Sequence, residues 1–519
     1  MRQMGVRRVL LLALSAGLIG VYLFALTAYA ATPAIINHVE AGIPSVSWLF
    51  ALGKPIYPGP DEAERYASIY GPMLYIVNGC FMWLTGPSLL SAKAPEALAA
   101  VGVLALCFLT LRRKHGNYWG LIGAGLLASF VLQFHLYSFC LRPDPYICFC
   151  VALTVFAWEL EHVWLAALLC GAALGLAANL KIYAPVFFLP VLAAPRPRRG
   201  FALAVVAGVA ALVFAAPFAL PNVSLRNFLY WAAVTRRQGF RSPLPAISKE
   251  LLYAAPIILV ALWGSILNPG WIATGLRKNW QVAAATSIAL LLIIVPCSKV
   301  GSGPHMLLGF GPLYVTLMFK IVFSLDAAKL APSRLRTSVA ASGGMFMLGV
   351  CVYAICTGVA TGQQSIFYNN QYAQPALADI QAIVQRHPDM RIEMGWGETH
   401  DSDYKYTFYR SPLVFHSGSL LQDASCLMDM EACGVRIAPA MLETMKSGAI
   451  GGFLIPAGMS PFTMRSSYTL PTAGPVAEAS FREAFLANYE PVEHTPTFDV
   501  WLLRRPAQPR QEPDSERAR

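Results

Sequence analysis

Long apolar stretches separated by short basic clusters make up the first two thirds of the chain. Most of the stretches approach the length of about 20 residues that a helix needs to cross a bilayer. They predict eleven spans: 9–31, 89–111, 118–139, 146–160, 164–180, 183–194, 201–220, 251–267, 282–296, 305–323 and 339–360. With this count the strongest basic clusters, such as Arg112-Arg113-Lys114 and the run 196–199, all fall on the side of the N-terminus. The agreement with the positive-inside rule places the N-terminus in the cytoplasm.

One further apolar stretch, 69–86, begins Tyr70-Gly71-Pro72 and contains Asn78 and Gly79. These helix breakers predict that it lies along the outer interface, because counting it as a span would place Arg112-Arg113-Lys114 outside. A second point concerns the N-terminus, where Ala28-Tyr29-Ala30 resembles a signal-peptidase site. A cleaved signal peptide is therefore the alternative to a first span, although the apolar run is longer than the usual core of about 7–15 residues.

Composition narrows the class of protein. Of the 519 residues, 56% are hydrophobic and only 13% are charged, and the mean hydropathy is +0.52. A soluble protein carries about a quarter charged residues, so the chain is a polytopic membrane protein. The net charge of +11 does not indicate nucleic-acid binding, because the basic residues lie in separate clusters between apolar segments instead of in one patch.

The polarity of the chain changes after residue 360. We expect a transmembrane domain at 1–360 with an outer loop at 32–88, an extramembrane α/β domain at 361–505, and a disordered tail at 506–519. Alternating short apolar runs predict strands at 390–394 and 449–455, and helical periodicity predicts helices at 376–385 and 481–489. Cys426 and Cys433 could form a disulfide if this domain lies outside the cytosol.

Polar and charged side chains collect on the outer face of this topology. The candidates are Glu40, Tyr57, Asp61, Glu62, Tyr70, Arg142, Asp144, Lys181, Arg236, Arg237, Lys299 and His305. Outer positive charge opposes the orienting rule and indicates a phosphorylated lipid ligand, because guanidinium and ammonium groups bind phosphate oxygens. The alternative is that basic side chains snorkel at the lipid boundary, which suits Arg226 and Lys249.

The carboxylates of this set allow two kinds of chemistry. One of them could act as a general base on an acceptor hydroxyl, which requires hydrogen-bond reach and a tuned pKa. Paired carboxylates could instead hold a divalent cation against a phosphate leaving group. Spacing along the sequence does not separate the two, and no further cofactor motif is present.

Several short motifs together resemble a known superfamily. Glu40 follows the first apolar helix, Gly53-Lys54-Pro55-Ile56-Tyr57 and Tyr70-Gly71-Pro72-Met73-Leu74-Tyr75 come next, and Arg142-Pro143-Asp144 and Ala178-Asn179-Leu180-Lys181 stand at later helix ends. Over residues 1 to 325 the chain resembles the GT-C membrane glycosyltransferases, in particular the family-39-like branch related to aminoarabinose transferases and protein O-mannosyltransferases. Glu40 matches the catalytic carboxylate of that family, although the chain has Val39-Glu40 where the family often has an Asp-Glu pair.

The resemblance implies transfer of a sugar, with inversion, from a polyprenyl-phosphate donor to a lipid, glycan or protein acceptor. Glu40 or Asp144 would deprotonate the acceptor, and Arg142, Lys181, Arg236 and Arg237 would neutralise the phosphate. The implied location is the bacterial inner membrane, with the C-terminal domain periplasmic. A transporter or flippase of anionic lipids is the first alternative, and a non-catalytic partner in envelope assembly is the second. Charges converging on one outer site would favour the enzyme, whereas charges distributed across the membrane would favour transport.

Overall fold

The computed structural model describes residues 2–66, 70–267, 269–327, 334–397, 405–463 and 479–504, so the tail expected at 506–519 lies outside the described residues. The fold divides into two compact units. The first comprises Met1–Tyr57 and Ala67–Gln374, and the second comprises Pro58–Tyr66 and Pro375–Arg519.

The first unit is helical. Its α-helices are α1 Arg2–Ala30, α2 His38–Ala51, α3 Pro72–Thr85, α4 Leu89–His115, α5 Asn117–Leu132, α6 Pro143–Trp158, α7 Val163–Leu180, α8 Leu189–Leu192, α9 Arg199–Ala215, α10 Leu225–Thr235, α11 Leu244–Leu267, α12 Pro269–Cys297, α13 Gly311–Ala327 and α14 Arg334–Tyr368. Among the described residues, seven helical segments are long and apolar enough to cross a membrane. They are Gly5–Ala30, Leu89–His115, Val163–Leu180, Arg199–Ala219, Arg277–Cys297, Pro304–Phe323 and Ser342–Arg386. Shorter apolar helices are α3, α5 and α6, and α3 has 14 residues, fewer than the ~20 that a span requires.

The stretch expected to cross at 183–194 is not a regular helix. It forms a 3₁₀ helix, Ala184–Phe188, followed by the single turn α8, since Pro185 and Pro190 lack the N–H that a continuous helix needs. The segment nevertheless follows the length of α6. Lys181 at its start binds Asp144 in the first turn of α6, whereas Arg196 at its end donates to the carbonyls of Trp158 and Leu160, where α6 ends.

Small residues allow α7 and α9 to pack closely. Gly171 and Gly175, one turn apart on α7, face α9 so closely that a Cβ atom would lie 2.9 Å from the Val206 carbonyl oxygen and 2.5 Å from that of Ala210. Two glycines at this spacing allow helix backbones to approach, which is the common packing mode where lipid removes the hydrophobic driving force between helices. The packing fixes α7, whose C-terminal end carries Lys181.

The second unit is an α/β domain. Its helices are α15 Gln374–Arg386, α16 Ser411–Ser417, α17 Ala424–Ala432, α18 Pro439–Lys446 and α19 Ala479–Asn488, and its strands are β1 Ile392–Met394, β2 Gly452–Pro456, β3 Tyr489–His494 and β4 Phe498–Leu503. The sheet order is β1-β2-β4-β3, with β1 parallel to β2 and the other pairs antiparallel. The strands and helices predicted in this region are therefore present.

Two expectations about this unit need correction. The boundary predicted after Ala360 lies inside helix α14, which continues through a π-helical turn, Asn369–Ala373, into α15, so the division falls after Gln374. Cys426 and Cys433 belong to one helix and its C-terminal cap. At about 1.5 Å rise per residue their Cα atoms stand about 10 Å apart, beyond the ~7 Å limit for a disulfide.

Candidate active site

Six ionisable side chains are buried together at helix ends of the first unit. We call them the buried charge cluster: Glu40, Lys93, Glu96, Arg142, Asp144 and Lys181. None is more than 7% exposed, and the set contains as many acids as bases. Buried ions are expensive unless they are paired, so a cluster of this size is a functional-site candidate.

Glu40 lies in the first turn of α2, which Asn37 caps by accepting a hydrogen bond from the Val39 N–H at 2.9 Å. The Tyr29 hydroxyl, from the end of α1, donates to Glu40 Oε2 at 2.7 Å. Glu40 Oε1 is buried and has no hydrogen-bond partner among the described residues. Burial raises the pKa of Glu40 to about 7, although the Tyr29 hydroxyl and the charges of Lys93 and Arg142 oppose the shift. The carboxyl group is thus poised to exchange a proton near neutral pH.

Lys93 lies beneath this pair. Its ammonium group donates to the carbonyl oxygens of Tyr29 at 3.0 Å, Thr32 at 2.7 Å and Ala34 at 2.5 Å. The same nitrogen lies 3.9 Å from the centroid of the Tyr29 ring. All its donors are therefore used to hold the chain where it leaves α1, and its positive charge fits the negative end of that helix.

Arg142 and Asp144 begin α6, with Arg142 at the N-cap and Asp144 in the first turn. Asp144 Oδ1 accepts from Lys181 Nζ at 2.7 Å, and Asp144 Oδ2 lies 3.4 Å from Arg142 Nε. The second contact is an ion pair without a hydrogen bond, since both of these atoms lack a hydrogen-bond partner among the described residues. Arg142 thus keeps a buried N–H that an added anion could satisfy.

The Tyr29 hydroxyl links Glu40 to the segment that carries Arg142. The Leu141 N–H donates to the Tyr29 oxygen at 3.1 Å, and the same hydroxyl donates to Glu40. Leu141, which precedes Arg142, is therefore held by the same Tyr29 hydroxyl that binds Glu40. The structure brings together Glu40, Arg142, Asp144 and Lys181, which the sequence assigned to separate outer segments.

Tyr70-Gly71-Pro72 packs on the C-terminal end of α7, where Lys181 lies. The Gly71 N–H donates to the Leu180 carbonyl at 3.1 Å, and the Met73 N–H donates to Asn179 Oδ1 at 2.9 Å. A Cβ atom on Gly71 would lie 1.3 Å from the Asn179 carbonyl oxygen, so only glycine fits. The Tyr70 ring then lies 5.5 Å from Lys181 Nζ, and its carbonyl accepts from the Tyr57 hydroxyl at 2.6 Å. Both predicted tyrosines thus support the cluster.

His305 completes the other side of Arg142. Its Nε2 atom is 3.4 Å from Arg142 Nη2, and its ring stacks on Tyr137 with centroids 4.2 Å apart. The Arg142 guanidinium lies 4.9 Å from the same Tyr137 ring. The contact with the Tyr137 ring and the contact with His305 together restrict the orientation of the guanidinium.

The remaining predicted residues lie elsewhere. Arg236 and Arg237 form an exposed 3₁₀ turn, and Lys299 is half-buried in a backbone bridge with Phe240. Asp61 and Glu62 are exposed and belong to the second unit.

The cluster does not fit a divalent cation. Among the described residues no three His, Cys, Asp or Glu side chains form a group that could hold a metal ion. The Asp144 oxygens already face Lys181 and Arg142, and Glu40 is bound by a tyrosine hydroxyl. Hard divalent cations need several oxygen ligands free of competing positive charge.

Sequence reasoning missed Lys93 and Glu96. Glu96 Oε1 accepts from Asn78 at 2.7 Å, and Asn78 accepts from the Tyr146 hydroxyl at 2.7 Å. The available signal was a lysine and a glutamate three residues apart in an otherwise apolar stretch, which is a functional-site hypothesis by default.

No protein-family model matches the chain, and no curated protein matches it. Solved structures do. ArnT from Cupriavidus metallidurans bound to undecaprenyl phosphate aligns with a TM-score of 0.53 and 13% identity over 95% of this chain and 97% of that one. The same protein in the apo state aligns with a TM-score of 0.48 and 12% identity, over 96% of this chain and 98% of that one. The Archaeoglobus fulgidus oligosaccharyltransferase in complex with zinc and sulfate aligns with a TM-score of 0.43 and 12% identity, over 85% of this chain and 68% of that one.

The helices and the C-terminal sheet define a multi-pass α-helical membrane protein with an added α/β domain. The alignment with undecaprenyl-phosphate-bound ArnT shows that its fold is GT-C-like. The fold expected from the sequence motifs is thereby confirmed.

Proposed function

We propose that the protein transfers a sugar from a polyprenyl-phosphate donor to an acceptor hydroxyl at the outer face of the bacterial inner membrane. One observation carries this proposal: Glu40 is a fully buried carboxyl group with one unpartnered oxygen, beside buried cations. The GT-C-like fold and the undecaprenyl phosphate bound to the similar ArnT support the same reading.

Glu40 is better suited than Asp144 to act as the base. Lys181 and Arg142 lie against the two oxygens of Asp144 and stabilise its ionised form, so it has little tendency to accept a proton. The pKa of Glu40 near 7 matches a general base that works at neutral pH. Asp144 instead positions the two cations.

The reaction is a single displacement. The acceptor O–H bond breaks as its proton moves to Glu40 Oε1, and the acceptor oxygen forms a bond to the anomeric carbon. The bond from that carbon to the phosphate oxygen breaks on the opposite face, which inverts the configuration. Negative charge grows on the departing polyprenyl phosphate, and Arg142, with its unfilled N–H, and Lys181 stabilise it. Arg236 and Arg237 are exposed basic groups that could meet the phosphate as it enters or leaves.

The test uses the lipids of a strain that lacks the gene. Purified protein is mixed in detergent with a lipid extract from that strain, and the formation of free polyprenyl phosphate is followed by mass spectrometry. We expect the wild type to release it and Glu40→Gln to be slower by about 10²–10⁴-fold, because the amide keeps the size but cannot accept the proton. Glu161→Gln is the matched control, since the side chain of Glu161 is 90% exposed, and it should behave as the wild type.

Two results would contradict the proposal. Full activity of Glu40→Gln would remove Glu40 as the base. A transporter would be favoured by two observations together. The wild type would consume no polyprenyl-phosphate sugar from the extract, and proteoliposomes containing the protein would move such lipids across their membrane.

A further inference from the structure

Lys93 is the member of the buried charge cluster whose charge is not matched by a contacting carboxylate. In the part of the chain that the structure describes, its hydrogen bonds all go to backbone carbonyls. Arg142 and Lys181, in contrast, are both committed to Asp144. A buried ammonium group without an adjacent anion is costly, so its retention at 1% exposure needs a compensating charge nearby.

Glu40 supplies that charge through Tyr29. The Tyr29 side chain lies between them, with its ring 3.9 Å from Lys93 Nζ and its hydroxyl 2.7 Å from Glu40 Oε2. The backbone of the same residue accepts a hydrogen bond from Lys93. The position and rotamer of Tyr29 are therefore fixed at two points by Lys93, and Tyr29 in turn fixes the carboxyl group.

We propose that Lys93 is the positioning residue of the base, holding Tyr29 against Glu40 and stabilising the negative charge on that carboxylate. The assignment of this role rests on the proposed function, in which Glu40 accepts the acceptor proton. Lys93 does not touch the reacting atoms. It acts through Tyr29 and through its charge.

Other charged and titratable groups face Glu40 and also influence its ionisation. They are Tyr29 from α1, Glu96 from α4, and Tyr137, Cys140 and Arg142 from the connection between α5 and α6. Glu96 occupies the same helix as Lys93, three residues further on, with the opposite charge type. Glu96→Gln is thus a matched control for a buried change on α4.

The experiment measures the ionisation of Glu40 directly and does not require the sugar donor. Infrared spectra of the full-length protein are recorded against pH, and the protonated-carboxyl band of Glu40 is identified as the one that Glu40→Gln removes. In the wild type this band should titrate near pH 7. Lys93→Gln keeps hydrogen-bond donors for the carbonyls but removes the charge, and we expect the midpoint to rise by about one pH unit.

The controls separate charge from packing. Lys93→Arg keeps the positive charge and should leave the midpoint at the wild-type value, and Glu96→Gln should not raise it. An unchanged midpoint in Lys93→Gln, or an equal rise in Glu96→Gln, would overturn the proposal. Failure of the proposed function is recognised separately, because Glu40→Gln would then retain transfer whatever the midpoints show.

A second measurement applies where Lys93→Gln does not accumulate in the membrane. If Lys93 compensates the charge of Glu40, the double variant Lys93→Gln, Glu40→Gln should recover accumulation and unfold at a higher temperature than Lys93→Gln alone. A double variant no better than the single one would show that Lys93 only caps α1, and the proposal would fail.

Discussion

At the scale of single residues, the site depends on which buried oxygens and nitrogens remain unpaired. Glu40 Oε1 and Arg142 Nε both lack a hydrogen-bond partner among the described residues. An unsatisfied buried polar atom costs about 1–3 kcal/mol. In the proposed reaction these two atoms would gain partners, Glu40 Oε1 from the acceptor hydroxyl and Arg142 Nε from the phosphate. Binding of the reactants would satisfy both.

Asp144 provides a stability prediction at this scale. Asp144→Asn removes the negative charge between Lys181 and Arg142, which are 5% and 7% exposed in their side chains. Breaking a buried ion pair from one side costs about 3–5 kcal/mol, because the remaining charge is left uncompensated. We expect a clear drop in the unfolding temperature in detergent.

The control for this prediction is an ion pair at the surface. Glu161→Gln breaks the contact with Arg113, whose side chain is 43% exposed, and such pairs contribute about 0–1 kcal/mol. Equal unfolding temperatures for Asp144→Asn and Glu161→Gln would show that the buried pairing has no net stabilising effect.

The candidate residues were partly readable from the sequence, since Glu40, Arg142, Asp144 and Lys181 stand out as charges beside apolar helices. Their pairing was not readable. The link from Leu141 to Glu40 passes through Tyr29, 112 residues away from Leu141, and nothing in local spacing encodes that contact. Lys93 and Glu96 were missed because their helix is long and apolar enough to be classed as a simple span.

At the scale of elements, turns and breaks place the charges. Glycine and proline begin α3 at Gly71-Pro72, and the backbone of Gly71 packs on the end of α7. The length of the apolar runs predicted the spans at 89–111 and 164–180, where the structure has helices α4 and α7. It could not predict the 3₁₀ and single-turn helices of 184–192, where prolines override the apolar pattern.

Gly71→Ala tests the contact between these elements. The added Cβ would overlap the Asn179 backbone, so the backbone at position 71 must move away from α7. That movement would separate the Tyr70 ring from Lys181. We expect loss of transfer activity together with a lower unfolding temperature. Polyprenyl phosphate release and thermal unfolding measure the two effects.

Gly17→Ala is the matched control. Gly17 lies within α1, and a Cβ atom there would meet nothing within 4 Å. Alanine favours a helix over glycine by about 1 kcal/mol, so this variant should be at least as stable as the wild type. Full activity of Gly71→Ala would show that the close approach to Asn179 is not needed.

At the scale of the whole molecule, charge and apolar pattern together predicted a multi-pass fold with a C-terminal α/β domain, and the structure has both. The division between the units was harder to predict. The segment Pro58–Tyr66 belongs to the second unit although it lies between α2 and α3 of the first. Arg65 makes a parallel bridge with Gln422, a pairing across more than 350 residues that no local signal reveals.

Orientation in the membrane is the last prediction, and it follows from the basic clusters. If Arg112-Arg113-Lys114 and the run 196–199 are cytoplasmic, the connection between α6 and α7, which carries Glu161, is cytoplasmic too. The second unit, which carries Glu443, is then periplasmic. We expect a cysteine at position 443 to react with a membrane-impermeant maleimide in intact cells, and a cysteine at position 161 to react only after permeabilisation.

The background for this measurement lacks Cys80 and Cys356, the exposed cysteines in the described part of the chain. Both engineered sites are open, since the side chain of Glu443 is 71% exposed and that of Glu161 is 90% exposed, so a lack of labelling reports the membrane barrier and not burial. Reaction at position 161 in intact cells would reverse the orientation. The ends of α2, α4, α6 and α7 that carry the buried charge cluster would then open to the cytoplasm, and a donor and acceptor at the outer face could not reach Glu40.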